Sequence, residues 1–378
     1  MSIDTIIIKI QFNLPGIGIN MDYFDFKHPE TLPGFRKSCR TKYPEEKAAH
    51  FPTVTIMKDN HGNPEIALEF SCGKFLQGNN IETLNKQDFN LLIDKLHNDL
   101  IKMDIFIPKV YLKEARVSRL DASMVIDLSN YSSCSTIQQT LSKIAYPQNI
   151  KAKKIRFPQP EFDGEQFVLT NKGETKEWRL SIYDKKAEAL SSKANKDTKV
   201  LVDINGQMVE KTIKEAFDLT NTKQLLRIEL QCLTPKEIRK HLKKQGLDIK
   251  DLTFEALFDE QIACNMILDV WEQYITPHLS SGLMQRMNEH SLKDKALKRG
   301  ISYPEIMQML YYKHSCSLYK NGINDIKKEF SDENLRPYII KAERTFNKIP
   351  TTDKTSVART FKYIHKCIKE AIPFKFKV

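Results

Sequence analysis

Arginines recur at even spacing before groups able to do chemistry. Arg119 precedes Asp121 by two positions, Arg227 precedes Glu229 by two, and Arg179 precedes Tyr183 by four. Around each the sequence alternates. Leu120, Ala122, Met124 and Ile126 oppose Arg119, Asp121 and Ser123; Trp178, Leu180 and Ile182 oppose Arg179, Ser181 and Tyr183. Likewise Leu226, Ile228 and Leu230 oppose Arg227, Glu229 and Gln231, while Ile66, Leu68, Phe70 and Cys72 oppose Glu65 and Glu69. Strand side chains point alternately to the two faces, so four such strands in one sheet gather carboxylates, arginines and a tyrosine on one side. A merely solvated face is the plainer explanation, because antiparallel sheets often leave one side wet. The residue identities favour a site. A wet face is rich in Lys, Thr and Gln, whereas this set suits a phosphodiester. Carboxylates hold a hard divalent cation, the cation and arginines neutralise phosphate, and a hydroxyl supplies a nucleophile. A phenol with an ordinary pKa of about 10 needs a nearby cation or base for that role. Lys185 and Lys186 follow Tyr183 closely. Tyrosine attack on phosphorus leaves a 5′-phosphotyrosine link and a free 3′-hydroxyl, conserving the bond energy for rejoining.

The elements that must position these groups are legible as changes of period. Ile6, Ile8, Ile10, Phe12 and Leu14 alternate with Lys9, Gln11 and Asn13, the pattern of a half-buried strand. Strands near 53–58 and 65–72 flank Asp59-Asn60-His61-Gly62-Asn63-Pro64, which has the chemistry of a hairpin turn. From the N-cap Asn85, residues Phe89, Leu92, Ile93, Leu96 and Leu100 recur at helical spacing. A strand over 115–126 and a helix near 135–144 follow. Beyond a basic stretch punctuated by Pro158 and Pro160, a hairpin around Asn171-Lys172-Gly173 leads to a strand over 177–183. Residues 190–222 read as an insertion with a type I′ turn at Asn205-Gly206. The strand 225–232 precedes Thr234-Pro235-Lys236-Glu237, a capping box with Pro at the first helical position, and Gly246 ends that helix. After 251 nearly all periodicity is helical. The expected fold class is α+β: an antiparallel sheet with helices on one face over 1–250, then an all-helical unit over 251–378 for DNA binding or an accessory role.

Composition narrows the function classes. With 378 residues, 40% hydrophobic and 28% charged, the chain is a folded protein and not a collagen-like, low-complexity or disordered one. No run of about 18 apolar residues and no signal-peptide pattern occurs, so neither secretion nor membrane insertion is expected. Seven scattered cysteines without a Cys-x-x-Cys pair suggest reduced thiols in a cytoplasm. The net charge of +11 favours polyanionic partners. It is most concentrated over 341–378, where ten Lys or Arg face three acids.

Four segments in order resemble the gene II/gene X replication initiators of filamentous phages and related prophages and plasmids. They are Lys74-Phe75-Leu76-Gln77-Gly78-Asn79-Asn80, Val117-Ser118-Arg119-Leu120-Asp121-Ala122, Tyr183-Asp184-Lys185-Lys186-Ala187-Glu188 and Leu226-Arg227-Ile228-Glu229. The likeness spans roughly residues 3–245. Tyr311-Tyr312 and Leu318-Tyr319-Lys320-Asn321-Gly322 are similar more loosely. The resemblance implies an endonuclease that nicks one strand of a supercoiled origin, primes rolling-circle synthesis from the 3′-hydroxyl, and later cuts and seals the displaced strand. It implies Tyr183 as nucleophile, Asp121 and Glu229 as metal carboxylates, and Arg119 and Arg227 as phosphate clamps. The Tyr-Asp-Lys form is closer to related plasmid initiators than to the best-known phage form. Partners would be the double-stranded supercoiled origin, single-stranded DNA, and a host helicase and polymerase in a bacterial cytoplasm. Another rolling-circle class binds metal through a His-hydrophobe-His pair, which the nine histidines here do not form. Metal binding therefore falls to carboxylates, with Glu69 a third ligand, and to Mg²⁺ or Mn²⁺.

Other features carry two readings each. Gln77-Gly78-Asn79-Asn80 could contact DNA or simply turn the chain. Lys151, Lys153, Lys154 and Arg156 read as a phosphate track or a solvated loop, and Arg179 joins them as a DNA contact. Residues 295–304 read as a helix-turn-helix origin reader or a plain helical hairpin. Phe361, Ile364 and Ile368 form an apolar stripe, and Arg359, Lys362, Lys366 and Lys369 a basic one. A non-catalytic DNA-binding regulator and a hydrolytic metal nuclease remain the alternatives to a nicking enzyme.

Overall fold

A computed structural model describes residues 2–19, 37–39, 51–59, 61–144, 157–162, 166–172, 177–191, 198–247, 251–318, 326, 332–349 and 356–377. Its strands are β1 (Ser2–Gln11), β2 (Gly18–Ile19), β3 (Lys37–Cys39), β4 (Thr53–Lys58), β5 (Pro64–Ser71), β6 (Ile105–Phe106), β7 (Arg116–Asp127), β8 (Phe157–Phe162), β9 (Gln166–Lys172), β10 (Trp178–Asp184), β11 (Lys199–Ile204), β12 (Gln207–Thr212) and β13 (Leu225–Cys232). Nine of them make one sheet in the order β3-β4-β5-β1-β7-β13-β10-β9-β8. Every pairing is antiparallel.

The hairpin β4–β5 forms as expected: the Asp59 carboxylate accepts from the amides of His61 and Asn63, both at 2.8 Å. Strand β8 lies inside the Pro-punctuated stretch, where alternation does not announce it. It is an edge strand, which tolerates the missing N–H groups of Pro158 and Pro160. The segment after β5 is the short helix Cys72–Gln77, closed by Gly78 at φ 78°.

Alternation puts Ile6, Ile8, Leu68, Leu120, Leu180 and Ile228 into the main core. Helices Phe89–Ile101, Cys134–Ser142, Pro235–Lys244, Glu260–Val270 and Ser356–Lys369 add Leu92, Ile137, Ile238, Ile267 and Ile364 among others. Thr234 caps its helix through the Glu237 amide at 3.3 Å. The Glu237 carboxylate accepts from Lys240 at 2.7 Å instead of closing the expected box.

The core runs on without a break past residue 251. The Val117 amide donates to the Leu252 carbonyl at 2.7 Å, and the Phe254 amide to the Ala115 carbonyl at 2.9 Å. Phe254, Ile267, Phe346 and Phe361 belong to the same cluster as the strand residues. Among the described residues, no helix is long and apolar enough to cross a membrane.

The opposite face is not simply wet. Its far end, at Val125 and Leu225, lies under the β11–β12 hairpin, the helix Ile213–Leu219 and the chain's last aromatics, Phe374 and Phe376. The hairpin turns at Asn205 and Gly206, with φ of 52° and 87°, as the type I′ signal requires. The Asp203 amide donates to the Phe376 carbonyl at 2.9 Å, so the chain's end pins this cover. The insertion thereby closes a second, smaller core beside the polar groups.

Candidate active site

Strands β5, β1, β7, β13 and β10 are neighbours, and their register aligns the polar positions. Tyr183 stands opposite Arg227, Ser181 opposite Glu229, Glu229 opposite Ser123, and Gln231 opposite Asp121. Asp121 and Glu229 are therefore diagonal neighbours on one face. The Tyr183 hydroxyl donates to Glu229 Oε2 at 3.3 Å. Glu229 Oε1 accepts from Gln231 at 2.9 Å.

Arg119 joins two of the carboxylates of this face, Asp121 and Glu69. It donates to both oxygens of Asp121, from Nε at 3.0 Å and from Nη2 at 2.6 Å, and reaches Glu69 from Nη1 at 3.2 Å. Glu65, on the same face of β5, is bound by Lys9 and Arg116 instead, at 3.3 and 2.8 Å.

Burial sets the electrostatics. It pushes Asp121 up to about 7; Arg119 opposes the rise, and the charges of Glu229 and Asp4 add to it. Burial also raises the Tyr183 phenol well above its ordinary range, with Arg227 pulling it down and Glu229 pushing it up. For Arg227 the cost of burial is outweighed by Asp4, Tyr183 and Glu229, so the guanidinium is firmly charged. Lys185 falls to about 8 through burial and the repulsion of Arg227, against the pull of Glu188 and Asp4.

Arg227 is wholly buried and anchored by residues that alternation alone does not reveal. Its Nη2 lies 2.7 Å from Asp4 Oδ2 and 3.2 Å from Ser123, its Nη1 donates to the Asn80 carbonyl, and its Nε is 3.5 Å from Glu229. Asp4 accepts as well from Ser71 at 3.0 Å and from Asn80 at 3.4 Å. By parity Asp4 should face the core with Ile6 and Ile8. The β1–β7 register shifts between Ile3 and Ile6, so Asp4 and Thr5 stand where β7 offers Asp121 alone. That bulge turns Asp4 to the polar side. Burial raises the Asp4 carboxyl, but Arg227, Ser71, Lys185 and Asn80 outweigh it and hold it below its ordinary value.

Asn80 is the second residue missed, its segment being readable as a plain turn. The turn is real, and it serves the site: Lys185 Nζ donates to Asn80 Oδ1 at 2.8 Å and to Glu188 Oε2 at 2.5 Å. Gly73 lets this loop approach, since a Cβ there would lie 2.9 Å from the Asn79 carbonyl oxygen.

The two lysines after Tyr183 part company. They open the helix Lys185–Ser191, in which adjacent residues point about 100° apart. Lys185 is buried in the Asn80 network. Lys186 turns to the Thr222 carbonyl at 2.6 Å and the Phe217 ring at 5.1 Å, so it does not accompany the phenol. The cation beside Tyr183 is Arg227. Arg179 lies on the same strand as Tyr183, on the wall of a cleft of about 970 Å³. Lys151, Lys153, Lys154 and Arg156 lie outside the described residues.

No group of three or more His, Cys, Asp or Glu among the described residues is arranged to hold a metal ion. Asp121 and Glu229 are the adjacent pair, and Arg119 stands between Asp121 and Glu69. Carboxylate oxygens are hard donors of the kind Mg²⁺ and Mn²⁺ take, although Asp121 is buried with a raised pKa and has both oxygens on Arg119. In donor chemistry the pair fits such an ion.

Residues 40–251, more than half of the chain, match the family described as the N-terminal part of the replication-associated protein of the phage gene II type. A comparison with curated proteins finds no match.

Proposed function

The chain belongs to the replication-associated protein family of filamentous-phage gene II, a family of rolling-circle replication initiators, and from that membership we propose a site-specific DNA nicking and closing enzyme with Tyr183 as nucleophile. The observation that carries the reading is the Tyr183 hydroxyl donating to Glu229 at 3.3 Å, with the buried Arg227 opposite it on the next strand.

Each group has a part. Glu229 takes the phenol's proton, and the Arg227 guanidinium on the next strand stabilises the phenolate. The phenolate oxygen bonds to phosphorus, the bond from phosphorus to the 3′-oxygen breaks, and that oxygen gains a proton to become the 3′-hydroxyl. The 5′-phosphate stays on Tyr183. Closing is the reverse: the 3′-hydroxyl attacks phosphorus and the tyrosyl oxygen leaves, taking back a proton. Arg119, which binds Asp121 and Glu69 in the free site, would neutralise phosphate oxygens when DNA is bound. Asp121 and Glu229, with Glu69 the further carboxylate of the face, would hold a divalent cation, which supplies positive charge for the phosphate when bound.

The test is incubation of the protein with Mg²⁺ and a supercoiled plasmid carrying the intergenic DNA that neighbours its gene. Wild type should give nicked circles with protein on the 5′ end, and Tyr183→Phe should give neither. No nicked product from wild type, or a 5′ adduct surviving in Tyr183→Phe, overturns the proposal. Nicking without an adduct would instead indicate hydrolysis by activated water. Origin binding without nicking, unaffected by Asp121→Ala, would indicate a non-catalytic regulator.

A further inference from the structure

The segment that closes the second core alternates as a strand does: Phe374 and Phe376 are buried, and Lys375 and Lys377 are exposed. Lys377 pairs in parallel with Asp203, which adds the segment to the edge of the β11–β12 hairpin. The Phe376 ring meets Phe217 at 5.3 Å and Phe374 at 5.0 Å between centroids, both edge to face. Ala371, at φ 51°, turns the chain out of the helix Ser356–Lys369 towards this cover, in a left-handed conformation unfavourable to any residue with a Cβ.

The same small core receives the loop that binds Arg227 and the helix that binds the loop. Asn80 offers its carbonyl to Arg227 Nη1, and its side chain accepts from Lys185 at 2.8 Å. Ile81, the next residue, is buried in the cluster of Phe374 and Phe376, whereas Phe75 and Leu84 on either side of the loop belong to the main core. Ala189 joins the smaller cluster too. It follows Lys185 by four positions in the helix Lys185–Ser191 and so shares its face. Lys186 lies over the Phe217 ring at 5.1 Å, a second tie between that helix and the cover. Glu82 is held from the same direction: burial raises its carboxyl above the ordinary value, and Asn79, the Leu201 backbone of β11 and Lys375 oppose the rise. Asn80 and Lys185 are thus seated on a core that the segment 374–377 completes.

We propose that residues 374–377 are a positioning element of the nicking site, acting through the Asn80 loop to hold the Arg227 guanidinium opposite Tyr183. This rests on the nicking reading and adds control of that site from a distance. Arg227 stabilises the phenolate only while it keeps its place, and a displacement of about 1 Å in a catalytic arrangement costs up to about 100-fold in rate. The smaller cluster holds far fewer apolar residues than the main one, and such regions open before the rest of a fold does. Lifting the segment therefore slackens the Asn80 loop and slows attack by Tyr183 while the sheet stays folded.

The test compares the full chain with its double variant Phe374→Ala/Phe376→Ala by two measurements. Hydrogen exchange should quicken by at least about tenfold at the Ile81 and Glu82 amides, which Asn79 Oδ1 accepts from, while the amides of Ile8, Leu120 and Ile228 in the central strands exchange as in wild type. With saturating supercoiled plasmid and Mg²⁺, the rate of 5′-adduct formation per folded molecule should fall by about 10- to 100-fold at unchanged affinity for the plasmid. Phe376→Leu, which keeps more of the apolar volume, should lie between the two proteins in both measurements. A merely structural segment would move the exchange alone. Quickened exchange with a wild-type adduct rate overturns the inference, and so does unchanged exchange at Ile81 and Glu82. If the double variant loosens the central strands as well, Phe376→Leu decides by the same two measurements. The nicking reading fails separately, by the absence of any adduct from wild type; exchange then still decides whether the segment seats the Asn80 loop.

Discussion

Among individual residues, the site is a buried charge lattice in which each group is set by its neighbours. Arg227 and Asp4 are both buried and 2.7 Å apart, and the loss of Asp4 leaves the buried guanidinium with Glu229, 3.5 Å from its Nε, and without its closest counter-charge. Asp4→Ala should therefore destabilise the fold by about 3–5 kcal/mol, read as a lower urea midpoint. Replacing both partners by apolar residues should cost much less. Asp121 gives a pH signature. Its folded pKa, about 7, is raised above the ordinary 3.8, so its contribution is fully present below the unfolded pKa and is lost as pH rises through about 7. In metal-free buffer the stability of wild type relative to Asp121→Asn should fall between about pH 4 and about pH 7 and then level off. A difference flat with pH in urea titrations would show that Asp121 ionises normally.

Among the elements, two irregularities do what regular strands cannot. The bulge in β1 brings Asp4 to the face that alternation denies it, and the turn after the helix Cys72–Gln77 brings Asn80 to Lys185 and Arg227. Gly73 permits that approach. In Gly73→Ala the new methyl meets a backbone carbonyl at 2.9 Å, so the loop must retreat. The expected cost is about 1–3 kcal/mol. A loss of nicking larger than the loss of folded protein should accompany it, because the Asn80 contacts go with the loop. Activity per folded molecule equal to wild type would show that Asn80 is not needed.

In the molecule as a whole, the sheet is clamped from two sides. The helices after residue 251 extend the main core, and the helix Leu279–Arg286 packs so closely on Cys134–Ser142 that a Cβ on Gly282 would lie 2.6 Å from the Thr140 carbonyl oxygen. Gly282→Ala should force these helices apart and lower the melting temperature of the entire protein in one transition. Two separate transitions, one unshifted, would show that the helical end melts independently of the sheet. The net charge of +11 acts at the same level. The logarithm of DNA affinity should fall linearly with the logarithm of salt concentration, by about 0.9 in slope for each duplex phosphate contacted.

Local pattern was enough to establish the central strands β1, β5, β7, β10 and β13, their faces and hence the company of Arg119, Asp121, Tyr183, Arg227 and Glu229, because a period of two is a property of the backbone at each residue. The type I′ turn at Asn205-Gly206 and the cap at Thr234 were legible for the same reason. Asp4, Asn80 and the separate fates of Lys185 and Lys186 emerged only on folding. A bulge is defined by two strands together, a loop acquires partners only when distant segments meet it, and the cover over Val125 and Leu225 depends on residues from the last turn of the chain. Neighbours fix which side chains share a face; only the folded whole fixes which of them touch.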